Sequence, residues 1–231
     1  MVRPAFHRAI VIRPEAGQVT ALVEDDLHHM RVTLDHDGEV ITCVEGEMIR
    51  APWSTCPGAR LALAETFTGA ALDTAAAVGA KKQNCTHLFD IAVLAAAHAR
   101  DTEPTRYDLR VEDPVEGVRP MDIARNGEVR MAWIEKDKRF LVPAAIAGLG
   151  YKEMGPWIAS LAPADAEMAR LLRGVAVISH GRQIPMEKQS DATRIPPNCH
   201  TFQPGQREHA LRVSGIHDFT TAIHGPLDGL P

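Results

Sequence analysis

A chain of 231 residues, 45% hydrophobic and 24% charged, has the composition of a globular protein large enough to bury a sizeable core. Its net charge of -5 argues against a nucleic-acid or anionic-membrane partner, which calls for a basic face, and no Lys/Arg run supplies one locally. The longest apolar run, Ile91 to Ala97, falls well short of the roughly 18–20 residues a membrane span requires.

Met1-Val2-Arg3-Pro4-Ala5 has no apolar h-region or small-residue cleavage site, so no signal peptide is expected. A cytoplasmic location follows, with the four cysteines as reduced thiols rather than a disulfide framework. The first fifty residues read as antiparallel strands: Arg8 to Arg13, Gln18 to Val23, His28 to Leu34 and Val40 to Met48, all rich in Val, Ile and Thr. Asp37-Gly38 offers the positive-φ positions of a tight hairpin. Met30-Val32-Leu34 alternates with Arg31-Thr33-Asp35, the pattern of a sheet with one wet face.

Helices follow. Pro57 suits a first helical position, which makes Cys56 the N-cap of a helix from about Pro57 to Phe67, with Gly69 as its left-handed stop. A short helix is predicted over Leu72 to Val78. Another, about Cys85 to Ala99, is capped by Asn84 or Thr86 and is apolar nearly all round, so it should be central and buried. After Asp101-Thr102-Glu103-Pro104 strands return at Arg106 to Val111, Met121 to Arg125 and Glu128 to Glu135, with Asn126-Gly127 as a hairpin turn. Helices are expected over about Lys152 to Leu161 and Pro163 to Ser179, the second ending at Gly181. Arg182 to Pro204, with four prolines, reads as loop, and the last ten residues as frayed. The expected class is α+β, a single domain with a subdomain break near 101–105.

Cys56 and Cys85 both fall at predicted helix starts, where unsatisfied N–H groups and the helix dipole lower a thiol's pKa and make a better nucleophile or metal ligand. Cys85-Thr86-His87 adds an imidazole to that centre, as a base for the thiol or as a second ligand. His98 lies eleven residues from His87, roughly 16 Å along a helix, too far to share its site. His28-His29 in a strand sends one ring to each face of the sheet, so only one of them can join. Cys43 falls inside a strand and is expected to pack. Cys199-His200 either closes over a pocket or anchors its loop together with Phe202. No GxGxxG, P-loop, HExxH, CxxC or GxSxG motif is present.

Three stretches carry a resemblance: Asp26-Leu27-His28-His29-Met30-Arg31-Val32, Arg50-Ala51-Pro52-Trp53-Ser54-Thr55-Cys56-Pro57-Gly58-Ala59 and Asn84-Cys85-Thr86-His87-Leu88-Phe89-Asp90. With Asn198-Cys199-His200-Thr201-Phe202-Gln203-Pro204, they resemble an uncharacterised bacterial family, domain of unknown function 2889, over roughly Phe6 to Arg212. The resemblance implies a place beside small-molecule catabolism, including acyl-thioester and aromatic pathways, and it implies no particular reaction. The order of Cys56, its helix and Gly69 to Asp73 is also similar to iron–sulfur scaffold proteins of the NifU type, but the earlier Cys-Gly-Asp element of those proteins is missing.

Three readings stand side by side. The first is a lyase or hydrolase of a small organic substrate, with Cys56, Cys85 and His87 catalytic and Arg50, Arg194 and His200 binding substrate. In a variant of it, Cys56, Cys85, His87 and His29 hold a metal, for which thiolate and imidazole favour zinc or iron. The second is a non-catalytic metal, iron–sulfur or persulfide scaffold. The third is a structural or accessory subunit whose cysteines merely fill space.

Overall fold

The computed structural model describes residues 3–230. Met1, Val2 and Pro231, which the readings of the two termini include, lie outside the described residues. Eight strands, β1 (Ala5–Glu15), β2 (Gln18–Asp25), β3 (His29–His36), β4 (Ile41–Arg50), β5 (Thr105–Glu112), β6 (Val118–Arg125), β7 (Glu128–Lys136) and β8 (Arg139–Val142), form one antiparallel sheet in the order β4-β3-β2-β1-β5-β6-β7-β8. Among the described residues four α-helices accompany them: α1 (Ala59–Phe67), α2 (Thr86–Ala97), α3 (Gly155–Ala159) and α4 (Pro163–Ile178). The fold is α+β. No helix among the described residues is long and apolar enough to cross a membrane.

The chain divides into two compact units, each built from separate stretches. One takes Ile10–Thr105, Pro185–His217 and the residues from Gly229; the other takes the residues up to Ala9, Arg106–Ile184 and Asp218–Asp228.

In the first unit, Met30, Val32 and Leu34 of β3 are wholly buried while Arg31 is exposed, as the alternation requires. Gly38 takes φ 99° in the turn into β4, where Asp37 Oδ1 accepts from the backbone N–H groups of Glu39 and Val40. Cys43 is exposed rather than packed. Its neighbour Thr42 is the extra residue of a β-bulge, since His36 pairs with Ile41 but Asp35 pairs with Cys43, and a bulge reverses which face the next side chain takes. Farther along β4, a Cβ on Gly46 would meet Leu63 of α1 at 3.2 Å and Leu88 of α2 at 3.4 Å, so glycine lets both helices close on the strand. α2 packs on β2 and β3 and buries Leu88, Phe89, Ile91, Ala92, Leu94, Ala95 and Ala96, the central helix its composition predicts. Gly69, at φ 84°, ends α1 as expected. His98 closes α2 with its Nδ1 2.6 Å from Asp101 Oδ2, a satisfied histidine.

In the second unit, Asn126 (φ 50°) and Gly127 (φ 82°) make the β6–β7 turn, as their sequence predicts. β8 was not anticipated; Asp137 and Lys138, both at positive φ, form a second two-residue turn without a glycine to announce it. α3 is shorter than the predicted Lys152 to Leu161, because Pro156 belongs to a first turn and fixes the start. α4 packs on β6. Its end is not set by Gly181; the chain tightens into a 3-10 turn over Ser179–Gln183. There the buried Arg119 donates to Ser179 Oγ and lies 3.5 Å from the equally buried Glu135. The tail is anchored rather than frayed: Phe219 and Leu227 are buried, and Arg106 donates to the carbonyls of Pro226 and Leu227.

Candidate functional site

The site belongs to the first unit and begins at the turn between β2 and β3. The Asp25 N–H donates to the His28 carbonyl (2.8 Å), and the wholly buried Asp25 carboxylate accepts from the backbone N–H groups of Leu27 (2.7 Å) and His28 (2.8 Å). The same Oδ1 lies 3.0 Å from His28 Nδ1. A carboxylate can only accept, so Nδ1 carries the proton and Nε2 is left as the basic nitrogen. His28 therefore sits in a turn that precedes β3, not within a strand. It is the member of the pair that reaches the site.

α2 supplies the second wall. Cys85, rather than Asn84 or Thr86, occupies the N-cap of α2. Asn84 instead donates to Thr66 Oγ1 (2.9 Å) and to the Ala80 carbonyl (3.0 Å). His87, in the first turn, lies with Nδ1 4.0 Å from Cys85 Sγ and stacks on His28, with ring centroids 3.8 Å apart and planes at 29°.

The third wall comes from loops far apart in sequence. Cys56 opens a three-residue 3-10 turn, Cys56–Gly58, and is not the N-cap of α1; that position is Gly58. Thr201 Oγ1 donates to Cys56 Sγ at 3.3 Å. The Cys199 segment is tied down where the His200 N–H donates to the Asn84 carbonyl (2.9 Å) and Gln203 Nε2 donates to Lys82 O (2.9 Å) and Cys199 O (3.2 Å). Residues 52–54 pair with 211–213: Ser54 N–H donates to Leu211 O (2.9 Å) and Val213 N–H to Pro52 O (3.0 Å). That pairing lays the Arg212 guanidinium over the Trp53 ring, 5.4 Å from its centroid.

These walls enclose a cavity of about 170 Å³ onto which Cys56, Cys85, Cys199, His28, His87 and Arg212 all open. Leu27, Met30, Pro52, Trp53, Ile195 and Phe202 make the rest of the surface mostly apolar, with Phe202 set edge-on to Trp53 at 5.7 Å. Burial dominates the thiol electrostatics. It pushes Cys85 up to about 12, against hydrogen bonds from the backbone at Leu88 and His87. Burial also raises Cys56, against the hydrogen bond from Thr201, and raises Cys199. The expectation of thiolates with lowered pKa at helix starts is overturned, because desolvation dominates at Cys85 on its helix N-cap and at Cys56, which opens only a short 3-10 turn. At neutral pH the three thiols are protonated.

Of the residues singled out from sequence, Cys56, Cys85 and His87 are brought together. His29 is not: its Nδ1 lies 3.5 Å from Glu24 Oε1, and it does not line the cavity. Arg50 does not reach the cavity as a substrate anchor. It donates to Asp25 O (2.7 Å) and His28 O (3.4 Å) and lies 3.1 Å from Glu24 Oε1, so it braces the turn that holds His28. Arg194, its side chain 81% exposed, lies 3.7 Å from Asp191. His200 lies against Gly58, where an added Cβ would meet its Nε2 at 3.0 Å. Among the described residues no group of three or more His, Cys, Asp or Glu side chains is arranged to hold a metal ion. Sequence reasoning missed Asp25 and Arg212 altogether. The Asp-x-x-His spacing of Asp25 and His28 was a signal for the first; nothing local marked the second.

No protein-family model matches the chain, and no curated protein matches it.

Proposed function

We propose that this chain is an enzyme of small-molecule catabolism in the cytoplasm, a lyase or hydrolase whose reaction centre is the cavity shared by His28, His87, Cys56 and Cys85. The observation that carries the reading is the Asp25–His28 pair on the wall of an apolar cavity beside protonated thiols. A buried carboxylate that holds one imidazole nitrogen leaves the other aimed as a general base, the arrangement that orients histidine in many hydrolytic and proton-abstracting sites. Burial keeps the proton on Cys85 at neutral pH, so Cys85 serves as a nucleophile only when an imidazole takes that proton as substrate binds. A raised thiol pKa thus argues against attack by a standing thiolate and leaves the base role to the imidazoles. The resemblance to domain of unknown function 2889 supports the catabolic setting and the weight placed on Cys56, Cys85 and His87.

The test is a turnover screen of the purified protein against aryl and short acyl thioesters, esters and hydroxy acids drawn from the pathways of its own gene neighbourhood. His28→Asn and Cys85→Ser are carried in parallel, with folding checked by circular dichroism. Wild type should turn over at least one member, and His28→Asn should lower its kcat by about 10²- to 10⁴-fold. A His28→Asn variant at full rate would remove the proposed base. The scaffold alternative draws on the third thiol, Cys199, at the same cavity; stoichiometric iron or sulfane sulfur in anaerobically purified protein, with no turnover, would favour it.

A further inference from the structure

We propose that this cavity takes a single uncharged aromatic ring of phenol type, whose O–H donates to Nε2 of His28. The inference rests on the cavity being the substrate site and names the class of substrate. His28 carries it. Its side chain is only 8% exposed and lines the cavity, and every hydrogen bond of its ring to a described residue runs through Nδ1, toward Asp25. The stack on His87 covers a face of the ring and not its edge. With the proton held at Nδ1, Nε2 is an acceptor set among apolar walls, and a ligand that brings one O–H satisfies it.

Little on the walls suits a charged ligand. Burial raises Cys56, Cys85 and Cys199, so the three thiols are neutral at pH 7, and none of the described lining residues is acidic. The Arg212 guanidinium is already engaged: its Nε donates to the Ser214 carbonyl (2.9 Å) and its plane lies over the Trp53 ring. A carboxylate or phosphate entering here would give up its water without a counter-charge held in reserve for it. The walls are also soft. Met30 and the three cysteines bring sulfur, which packs well against an aromatic ring, and Trp53 and Phe202 add aromatic surface of their own. Size selects further. A cavity of about 150 Å³ holds benzene. This one is about 170 Å³, room for one ring and its hydroxyl but not for a nucleotide.

Binding is measured at neutral pH by calorimetry and by ligand-detected NMR, without reference to turnover. Phenol is compared with probes that each change one property: toluene removes the donor, cyclohexanol removes the aromatic ring, and benzoate adds a charge. Phenol should bind wild type, cyclohexanol at least about threefold more weakly and benzoate at least about tenfold more weakly. His28→Leu, which fills the space without an acceptor, should weaken phenol by about 3- to 10-fold and leave toluene unchanged. In wild type labelled with 15N-histidine, phenol and not toluene should move the His28 Nε2 resonance, a readout that decides the matter should His28→Leu unfold. The proposal is overturned by no binding of phenol, by benzoate or cyclohexanol binding as tightly, by phenol and toluene responding alike to His28→Leu, or by an Nε2 resonance that phenol leaves in place. Phenol bound through Nε2 while His28→Asn keeps full turnover would uphold the ligand and remove the base. Turnover lost in His28→Asn with no phenol bound would overturn the ligand and keep the base, so the two failures are told apart.

Discussion

Cys85 sits where two effects on one thiol oppose each other. The N-terminus of α2 offers a field that stabilises a thiolate, while the protein packed around Sγ removes the water that a thiolate needs. Desolvation wins, and the thiol is pushed up from 9.0 to about 12. The consequence for stability has a definite sign. Below about pH 9 the folded and unfolded chains both keep this proton; above it the unfolded chain loses the proton first, while the folded chain keeps it until about 12. The unfolded state is then favoured, so stability falls as pH rises through that window, by up to about 1.4 kcal/mol per pH unit for one such group. In urea titrations between about pH 8 and 11, Cys85→Ser should flatten this decline, because serine does not titrate there. A Cys85→Ser profile as steep as wild type would show that the thiol ionises as readily folded as unfolded.

At the scale of the element, turns and caps decide what each segment becomes. The β6–β7 hairpin turns on Asn126 and Gly127 at positive φ, and an added Cβ on Gly127 meets nothing within 4 Å. Gly127→Ala therefore adds backbone strain without a clash, and should cost about 1 kcal/mol of unfolding free energy by denaturant titration, with Asn126→Gly close to neutral. Elements whose signals are local were legible in this way: the first four strands, Gly69 after α1, and the apolar α2 were all read from pattern and punctuation. The misreadings share a cause. A bulge at Thr42 turned Cys43 outward, and the Asp137–Lys138 turn hid β8 behind two charged residues; neither leaves a distinctive local composition.

At the scale of the molecule, the unit that holds the site is not a continuous piece of chain. Ile10–Thr105 supplies His28, Trp53, Cys56, Cys85 and His87, while Pro185–His217 supplies Cys199, Thr201, Phe202 and Arg212. The second stretch also buries Ala192 and Ala210 against Trp53 and Cys56. A chain ended after residue 104 should therefore lose one wall of the cavity, even though it keeps β1 to β4, α1 and α2. Trp53, 3% exposed in the whole chain, is the single tryptophan of that fragment, so its emission should shift to the red and its quenching by acrylamide should rise. A blue, protected Trp53 in the fragment would mean that the 185–217 stretch is dispensable for the core it covers.

From its own sequence this protein declares an α+β chain, the order and most bounds of its strands and helices, and two cysteines at the starts of helical turns, Cys56 and Cys85, with His87 beside the second. Those follow from period, turn chemistry and spacing, which act over a few neighbours. Only the tertiary structure chose His28 over His29, gave His28 its partner Asp25, turned Arg50 from ligand to brace, and carried Cys199 and Arg212 across the chain to the same cavity. It also reversed the expected protonation of the thiols, because desolvation depends on everything packed around a group and a helix start is only one neighbour among many.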